Sequence, residues 1–447
     1  MNIYDTANRL AQEIKQSEEY MNYKMAKQAL NLNKDLKEKM AEFEKMRYDV
    51  QIHMMQTGKQ DEEKYKEMQN KYAELIEIDE AKKFFEAETK FNIDVARSPY
   101  MLLDNRKAFF QLLKLVEEYH IEAIHCHTPV GGVLGRLVGR YYKKKRLRVI
   151  YTAHGFHFYK GAQLINNSLY YAAEKILAHY TDILVVINKE DYGNAKRFRL
   201  KPGGLVFQIP GVGLDLQRFR PFTEEERAKR RKELGLREND FFLVSVGELN
   251  ENKNQEIILK ALKKMKDSGK DLSHIKYGIC GDGFFRQRIK EKITEYGLEE
   301  IAVMYGYCTK VWEILGCADA SAFPSRREGL GMAALESLAM GVPVIAADNR
   351  GTREYMIPGK NGYVCSWDDE SSFARGIEAI RDMEPGHLAD MKEECRKSAE
   401  KFDKKYTNQI MHIVYENLDR KLEYNANYDK KKDQKAKCKN QCYYGSL

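Results

Sequence analysis

Ala320-Ser321-Ala322-Phe323-Pro324-Ser325-Arg326-Arg327-Glu328-Gly329-Leu330-Gly331-Met332-Ala333-Ala334-Leu335-Glu336 is the most informative stretch of this 447-residue chain. A short apolar run ending at a proline reads as a buried strand, the glycines as a turn, and the residues from Met332 to about Gly341 as a helix. One carboxylate, Glu328, sits in the loop, and a second, Glu336, lies eight residues on. Gly329, Leu330 and Gly331 leave backbone N–H groups at a helix N-terminus, a ready site for a diphosphate or for sugar hydroxyls. A carboxylate accepts two hydrogen bonds from a ribose or hexose diol, so Glu328 is expected to face a sugar and Glu336 a nucleoside. Spacing alone fits equally a plain strand–turn–helix in which Glu328 caps the helix and Glu336 is solvated.

Around this stretch, short β-branched runs alternate with helical ones. The runs 122–126 (EAIHC), 148–153 (RVIYTA), 182–187 (DILVVI) and 205–210 (LVFQIP) come first. After Pro221 follow 241–247 (FFLVSVG), 275–280 (IKYGIC), 301–306 (IAVMYG), 320–325 (ASAFPS) and 342–348 (VPVIAAD). Each reads as a buried parallel strand, giving two wound α/β units in series with a boundary near 215–222. Gly281 and Gly283 follow a strand and are expected to shape a cleft at the carboxyl edge of the second sheet, where ligands bind in open α/β folds. His154 and His157 fall just after a strand of the first unit. No Asp-x-Asp pair occurs anywhere, so no catalytic metal is expected.

The first 98 residues differ from all of this. They hold no proline, one glycine (Gly58), and 17 Lys and Arg against 20 Asp and Glu. Ile3, Ala7, Leu10 and Ile14 recur at helical spacing, so the segment reads as all helix, with breaks near Gly58 and before Glu77. Residues 99–423 carry 52 basic and 45 acidic residues, and 424–447 form a lysine-rich solvated tail. No run approaches the roughly 18 apolar residues of a membrane span, and the acidic start lacks the form of an export signal, which places the protein in the cytoplasm. The eight scattered cysteines read as reduced thiols, Cys438 and Cys442 included. Residues 140–148, with six cations and two tyrosines, are compatible with peripheral contact on anionic lipid or with a solvated helix end. No nucleic-acid-binding motif accompanies them.

The Glu328-to-Glu336 segment resembles the Glu-x-seven-Glu motif of family-four retaining glycosyltransferases of the GT-B fold. The likeness extends over about 94–415 and includes IHCHTPVGGVLGRLVGR, VIYTAHGFHFYKGA, INKEDY and IPGVGLDLQRF, which resemble the capsule and exopolysaccharide branch. It implies transfer of a sugar from a nucleotide donor, usually UDP-linked, to a lipid-linked or saccharide acceptor at the inner membrane face, without a separate cofactor. Residue by residue, it assigns Glu336 to the donor ribose, Glu328 to the transferring sugar, Lys253 to the diphosphate and His154 to a place beside the donor sugar. Gly281, Gly283, Gly329, Leu330 and Gly331 complete the donor site. Glu248 departs from the arginine many relatives carry there. Front-face attack, with the departing phosphate taking the acceptor proton, is the implied route.

Residues 1–93 resemble the YlbF/YheA family of small helical bacterial regulators, which self-associate and act as adaptors. The combined expectation is an α/β fold with two Rossmann-like domains of the GT-B type, the first truncated, behind an N-terminal all-α domain. Its parts are the helical domain 1–93, a partial acceptor domain 94–221, a nucleotide-sugar donor domain 222–404, a crossing helix 405–423 and the basic disordered tail 424–447. With the opening β–α units of such a fold missing, one flank of the strands near 122–126 and 148–153 is expected to be exposed. The rival expectation is a noncatalytic adaptor fused to a transferase remnant.

Overall fold

A computed structural model describes residues 18–57, 61–91, 102–143, 147–159, 161 and 164–418. The front end folds into α1 (Glu18–Leu32), α2 (Lys34–Thr57), α3 (Glu62–Ile76) and α4 (Asp79–Phe91). α3 stops at Ile76 with Glu77 as its C-cap, whereas the expected break at Gly58 lies outside the described residues. A further break at Asn33 was not expected. The Asn33 side chain accepts from Leu36 N at 3.2 Å, the short-polar-residue chemistry that starts a helix. Leu36, Leu75, Phe84 and Phe85 are buried between the helices. Phe85 meets Phe43 and Tyr72 edge-on, with centroids 5.6 and 5.0 Å apart, so aromatic packing closes this small core.

The chain then runs through α5 (Leu102–Glu118), β1 (Ala123–Cys126), α6 (Pro129–Tyr141), β2 (Arg148–Ala153), α7 (Leu164–Ala178), β3 (Ile183–Val186), α8 (Lys189–Ala195) and β4 (Leu205–Gln208). The four strands form a parallel sheet in the order β1-β2-β3-β4. Of the strands near 122–126 and 148–153, expected to expose one flank, β1 alone lies at an edge. β2 pairs with β1 through Ala123 and Arg148 and with β3 through Ile150 and Ile183, so among the described strands β1 and β4 are the edges. Two residues of the basic stretch 140–148 are tied into the fold. Arg148 pairs with Asp182 at 3.0 Å, and the buried Tyr142 donates to Leu113 O at 2.9 Å. Tyr141 and Lys143 remain exposed, and 144–146 lie outside the described residues.

The second unit follows as α9 (Glu224–Glu233), β5 (Phe241–Val246), α10 (Glu256–Asp267), β6 (Ile275–Cys280), α11 (Arg286–Glu295), β7 (Ala302–Gly306), α12 (Val311–Leu315), β8 (Ala320–Phe323), α13 (Met332–Ala339), β9 (Val344–Ala347), β10 (Gly362–Cys365), α14 (Glu370–Arg381), α15 (Pro385–Glu400) and α16 (404–418). Its sheet is parallel with the order β10-β9-β8-β5-β6-β7. Winding reverses between β5 and β8, which opens a crevice at their carboxyl ends. β10 was not anticipated, being four residues that begin with glycine. Among the described residues, no helix is long and apolar enough to cross a membrane, and the six cysteines there are free thiols.

Two features join the units. α16 returns to the first sheet, where Tyr415 Oη lies 2.8 Å from His125 Nδ1, and its Val414 and Leu418 enter a core shared with Ile150, Val185, Leu335 and Leu338. Arg350, just after β9, reaches into the first unit and pairs with Asp191 at 2.8 Å, the two side chains being 5% and 0% exposed. The same guanidinium donates to the carbonyls of Phe156 and Phe158. Removing one partner of a buried pair strands the other charge away from water, so Arg350→Met is expected to cost about 3–5 kcal/mol in urea unfolding. A loss below about 1 kcal/mol would show that the pair does not hold the units together.

Candidate active site

The crevice of the second sheet is built from the turns that follow β5, β6 and β8. After β5, the chain turns through Gly247 and Glu248 to Lys253, whose backbone N–H is fixed by Asn250 Oδ1 at 2.9 Å. The turn after β6 lies alongside, with Gly247 N donating to Cys280 O and Leu249 N to Asp282 O, each at 3.0 Å. Gly281 and Gly283 therefore stand beside the Lys253 loop. Gly247 is close enough that an added Cβ would meet the Lys253 side chain at 3.4 Å.

The turn after β8 carries Glu328 to Gly331. Glu328 Oε1 and Lys253 Nζ form an ion pair at 2.6 Å, with side chains 14% and 25% exposed. Glu328 does not cap α13: Gly331 occupies that position at φ 90°, a left-handed conformation open to glycine, and no side chain caps the helix. The first N–H groups of α13 thus face the crevice without a side-chain acceptor. Glu336 sits one turn into α13, half-buried, and no hydrogen bond or ion pair to its carboxylate exists among the described residues. Burial raises its pKa above the ordinary glutamate value. Leu330 turns the other way, into the core between the units, so it contributes backbone to the crevice and its side chain to packing.

Gly329 is the point where the units touch. An added Cβ there would stand 1.9 Å from His154 O, so only glycine fits, and Gly329 O accepts from Asn188 Nδ2 at 2.9 Å. Asn188 also donates to Asp191 at 2.8 Å, which ties this contact to the Arg350 pair. A cavity of about 230 Å³ opens here, lined by His127, His154, His157, Arg327, Glu328 and Gly329 among others. Of the expected site residues, His154, Glu328 and Gly329 line it directly. Lys253 joins through Glu328, while Gly281, Gly283 and Glu336 lie outside it along the crevice.

His127 was missed by the sequence analysis although it stands two residues past His125 at the end of β1. Its Nδ1 lies 3.2 Å from His154 Nε2 with the rings stacked, one ring donating to the other. Partial burial lowers the pKa of both, and that of His154 is lowered further by His127. His157 is pushed down to about 4 by burial, with Arg327 and Arg350 adding to the effect. All three imidazoles are therefore neutral near pH 7 and can donate one hydrogen bond while accepting another. Arg327, Arg350, Asp191 and Asn188 were also missed, because their roles arise from contacts between units that local sequence does not display. Among the described residues no group of His, Cys, Asp and Glu is arranged to hold a metal ion.

Residues 226–402 match the family Glycosyl transferases group 1, and residues 3–95 match the family Control of competence regulator ComK, YlbF/YmcA. EpsD of Bacillus subtilis strain 168 is 40% identical over 326 residues, covering 73% of this chain and 84% of that protein. The UDP-Gal:alpha-D-GlcNAc-diphosphoundecaprenol alpha-1,3-galactosyltransferase of Escherichia coli is 26% identical over 296 residues, covering 66% and 75% of the two chains. Among solved structures, Anabaena HepE in complex with UDP-glucose superposes with a TM-score of 0.59 at 19% identity, covering 74% of this chain and 89% of that one, which shows the shared GT-B fold. With a crevice at the switch point of the second sheet, a carboxylate in its loop, and EpsD alike over most of both chains, this chain belongs to the glycosyl transferases group 1 family.

Proposed function

We propose that this glycosyltransferase moves a sugar from a UDP-linked donor, with retention of anomeric configuration, onto a lipid-linked or saccharide acceptor in surface polysaccharide synthesis. The observation that carries the proposal is the pair of carboxylates on either side of a helix N-terminus with no side-chain cap, one paired with Lys253 and the other half-buried without a partner among the described residues. A carboxylate held partly out of water without a cation is poised to accept ribose hydroxyls, and the α13 N-terminus favours phosphate. A diphosphate entering beside Lys253 competes for its ammonium group, and Glu328, so released, is free to accept hydroxyls of the transferring sugar. The acceptor oxygen then bonds to the anomeric carbon as the carbon–phosphate oxygen bond breaks, and the acceptor proton passes to the departing phosphate. Lys253 and the α13 N–H groups offset the charge growing on that phosphate. No metal enters this proposal, in keeping with the lack of an Asp-x-Asp pair.

The relatives' names support this direction. The Escherichia coli enzyme uses UDP-Gal and an undecaprenol-linked acceptor, and the HepE structures hold UDP and UDP-glucose. An apolar groove of about 560 Å³ between α5 and α6, lined by Phe109, Val133, Leu134 and Leu137 and rimmed by Arg106 and Arg140, supports a lipid-linked acceptor. α6 begins at Pro129, which lines the cleft, so one helix connects cleft and groove.

Calorimetric titration of UDP, with GDP for comparison, tests the donor assignment. Saturable UDP binding is expected in the parent and its loss in a folded Glu336→Ala variant; no binding by a folded parent would sink the proposal. Lys253→Met is expected to lower kcat by about 10²–10³-fold, the scale for losing one group that stabilises developing charge. Glu336 also sets a sign for pH. Its folded pKa lies above the unfolded value, so the protonated form favours folding and that stability is lost as pH rises through the folded pKa. Glu336→Gln is therefore expected to raise Tm at pH 7 while weakening UDP binding. A Tm unchanged or lowered at pH 7 would contradict the strain assigned to this carboxylate.

A further inference from the structure

Charges around the cleft do not cancel. Among the described residues, Arg327 and Arg350 line it, and Lys253 joins through Glu328. Lys253 is matched by Glu328 at 2.6 Å and Arg350 by Asp191 at 2.8 Å. Arg327 has no carboxylate partner among the described residues. It is half-buried and lines the cavity, yet no hydrogen bond or ion pair to its guanidinium exists among the described residues. Its neighbour shows the contrast, since Arg326 pairs with Glu251 at 2.6 Å and lies 4.8 Å over the Trp367 ring.

The position of Arg327 is nevertheless fixed. Its backbone carbonyl accepts from Asn252 Nδ2 at 2.9 Å, and the guanidinium lies 5.7 Å over the Tyr159 ring. A cation held by a ring face keeps its N–H edges free for a planar pair of oxygens. Its charge is felt locally, for it disfavours protonation of His157 and opposes the charge of Arg350. Neutral imidazoles nearby add donors but no charge.

We propose that Arg327 is a further anion-binding residue of the cleft and grips phosphoryl oxygens of a substrate. The inference rests on the nucleotide-sugar reading above and adds a contact to it. Two substrates carry such oxygens: the diphosphate of the donor and the diphosphate of a lipid-linked acceptor. The guanidinium stands between the two units, on the loop that carries Glu328 and against Tyr159 of the first unit, within reach of either side.

The full-length protein, Arg327→Gln and Arg327→Lys are titrated calorimetrically with UDP, with uridine, and with farnesyl diphosphate added to UDP-saturated protein. Because the guanidinium has no hydrogen bond or ion pair to lose among the described residues and only a ring contact to Tyr159, all three proteins are expected to melt at similar temperatures. If the donor supplies the anion, Arg327→Gln weakens UDP about tenfold or more, the scale of hydrogen bonds to a charged group, and leaves uridine unchanged. If the acceptor supplies it, UDP affinity stays and farnesyl diphosphate weakens by that factor. Arg327→Lys retains part of the affinity in either case, since it keeps the charge and loses the fork. UDP and farnesyl diphosphate both binding Arg327→Gln within twofold of the parent would overturn the proposal. Failure of the folded parent to bind UDP refutes the nucleotide-sugar reading instead, and farnesyl diphosphate added without UDP then decides the role of Arg327 by the same criterion.

Discussion

A guanidinium taken out of water is stable only where its charge and donors are met, and Arg350 finds its carboxylate and two of its carbonyls across the boundary between the two units. Its partners are the Asp191 carboxylate and the carbonyls of Phe156 and Phe158 from one unit, and Glu328 O at 3.3 Å from its own. Separating the units would expose the guanidinium and leave Asp191 to Asn188 and the Phe156 N–H. The docked arrangement is therefore the one in which Arg350 and Asp191 are both satisfied. Because the loop gripped by Arg350 also carries His154 and His157, the geometry of the cleft follows from this single anchor.

Within the cleft, charge is stored in pairs. Lys253 and Glu328 neutralise each other at 2.6 Å, so a ligand meets neither an isolated ammonium nor an isolated carboxylate. Arg327 and Glu336 are the exceptions, and for Glu336, a carboxylate kept partly dry by packing, the raised pKa records the cost. Such a group lowers stability and persists where function needs it. The neutral histidines form a third element, able to donate and accept without adding to the field.

Much of this was legible in the chain. The apolar runs at 241–247, 275–280 and 320–325 became β5, β6 and β8, because a strand buried on both faces must be apolar throughout. Glu328, Lys253 and the glycine turns were visible because loops at strand ends carry their chemistry in local sequence. β10 was not, since four residues beginning with glycine give too little pattern. His127 and Arg327 were written in plain view, but their importance depends on what faces them: His154 from a neighbouring strand end, and Tyr159 from the other unit. Arg148 misled in the opposite sense, belonging by composition to a basic patch and in the fold to Asp182. Partnership across long sequence separation is set by packing, and composition does not encode it.

The contact between Gly329 and His154 O is made main chain against main chain, with no side chain to yield. The width of the cleft is accordingly a property of two backbone loops and not of exchangeable side chains. Recombination between relatives has to respect this. A donor unit transplanted from another family member would seat correctly only if the 154–159 loop of the first unit and the 327–350 segment of the second came from the same parent, whereas strands and outer helices could be exchanged more freely. The seam is thus one structural element, split between two halves that have to match at the main chain.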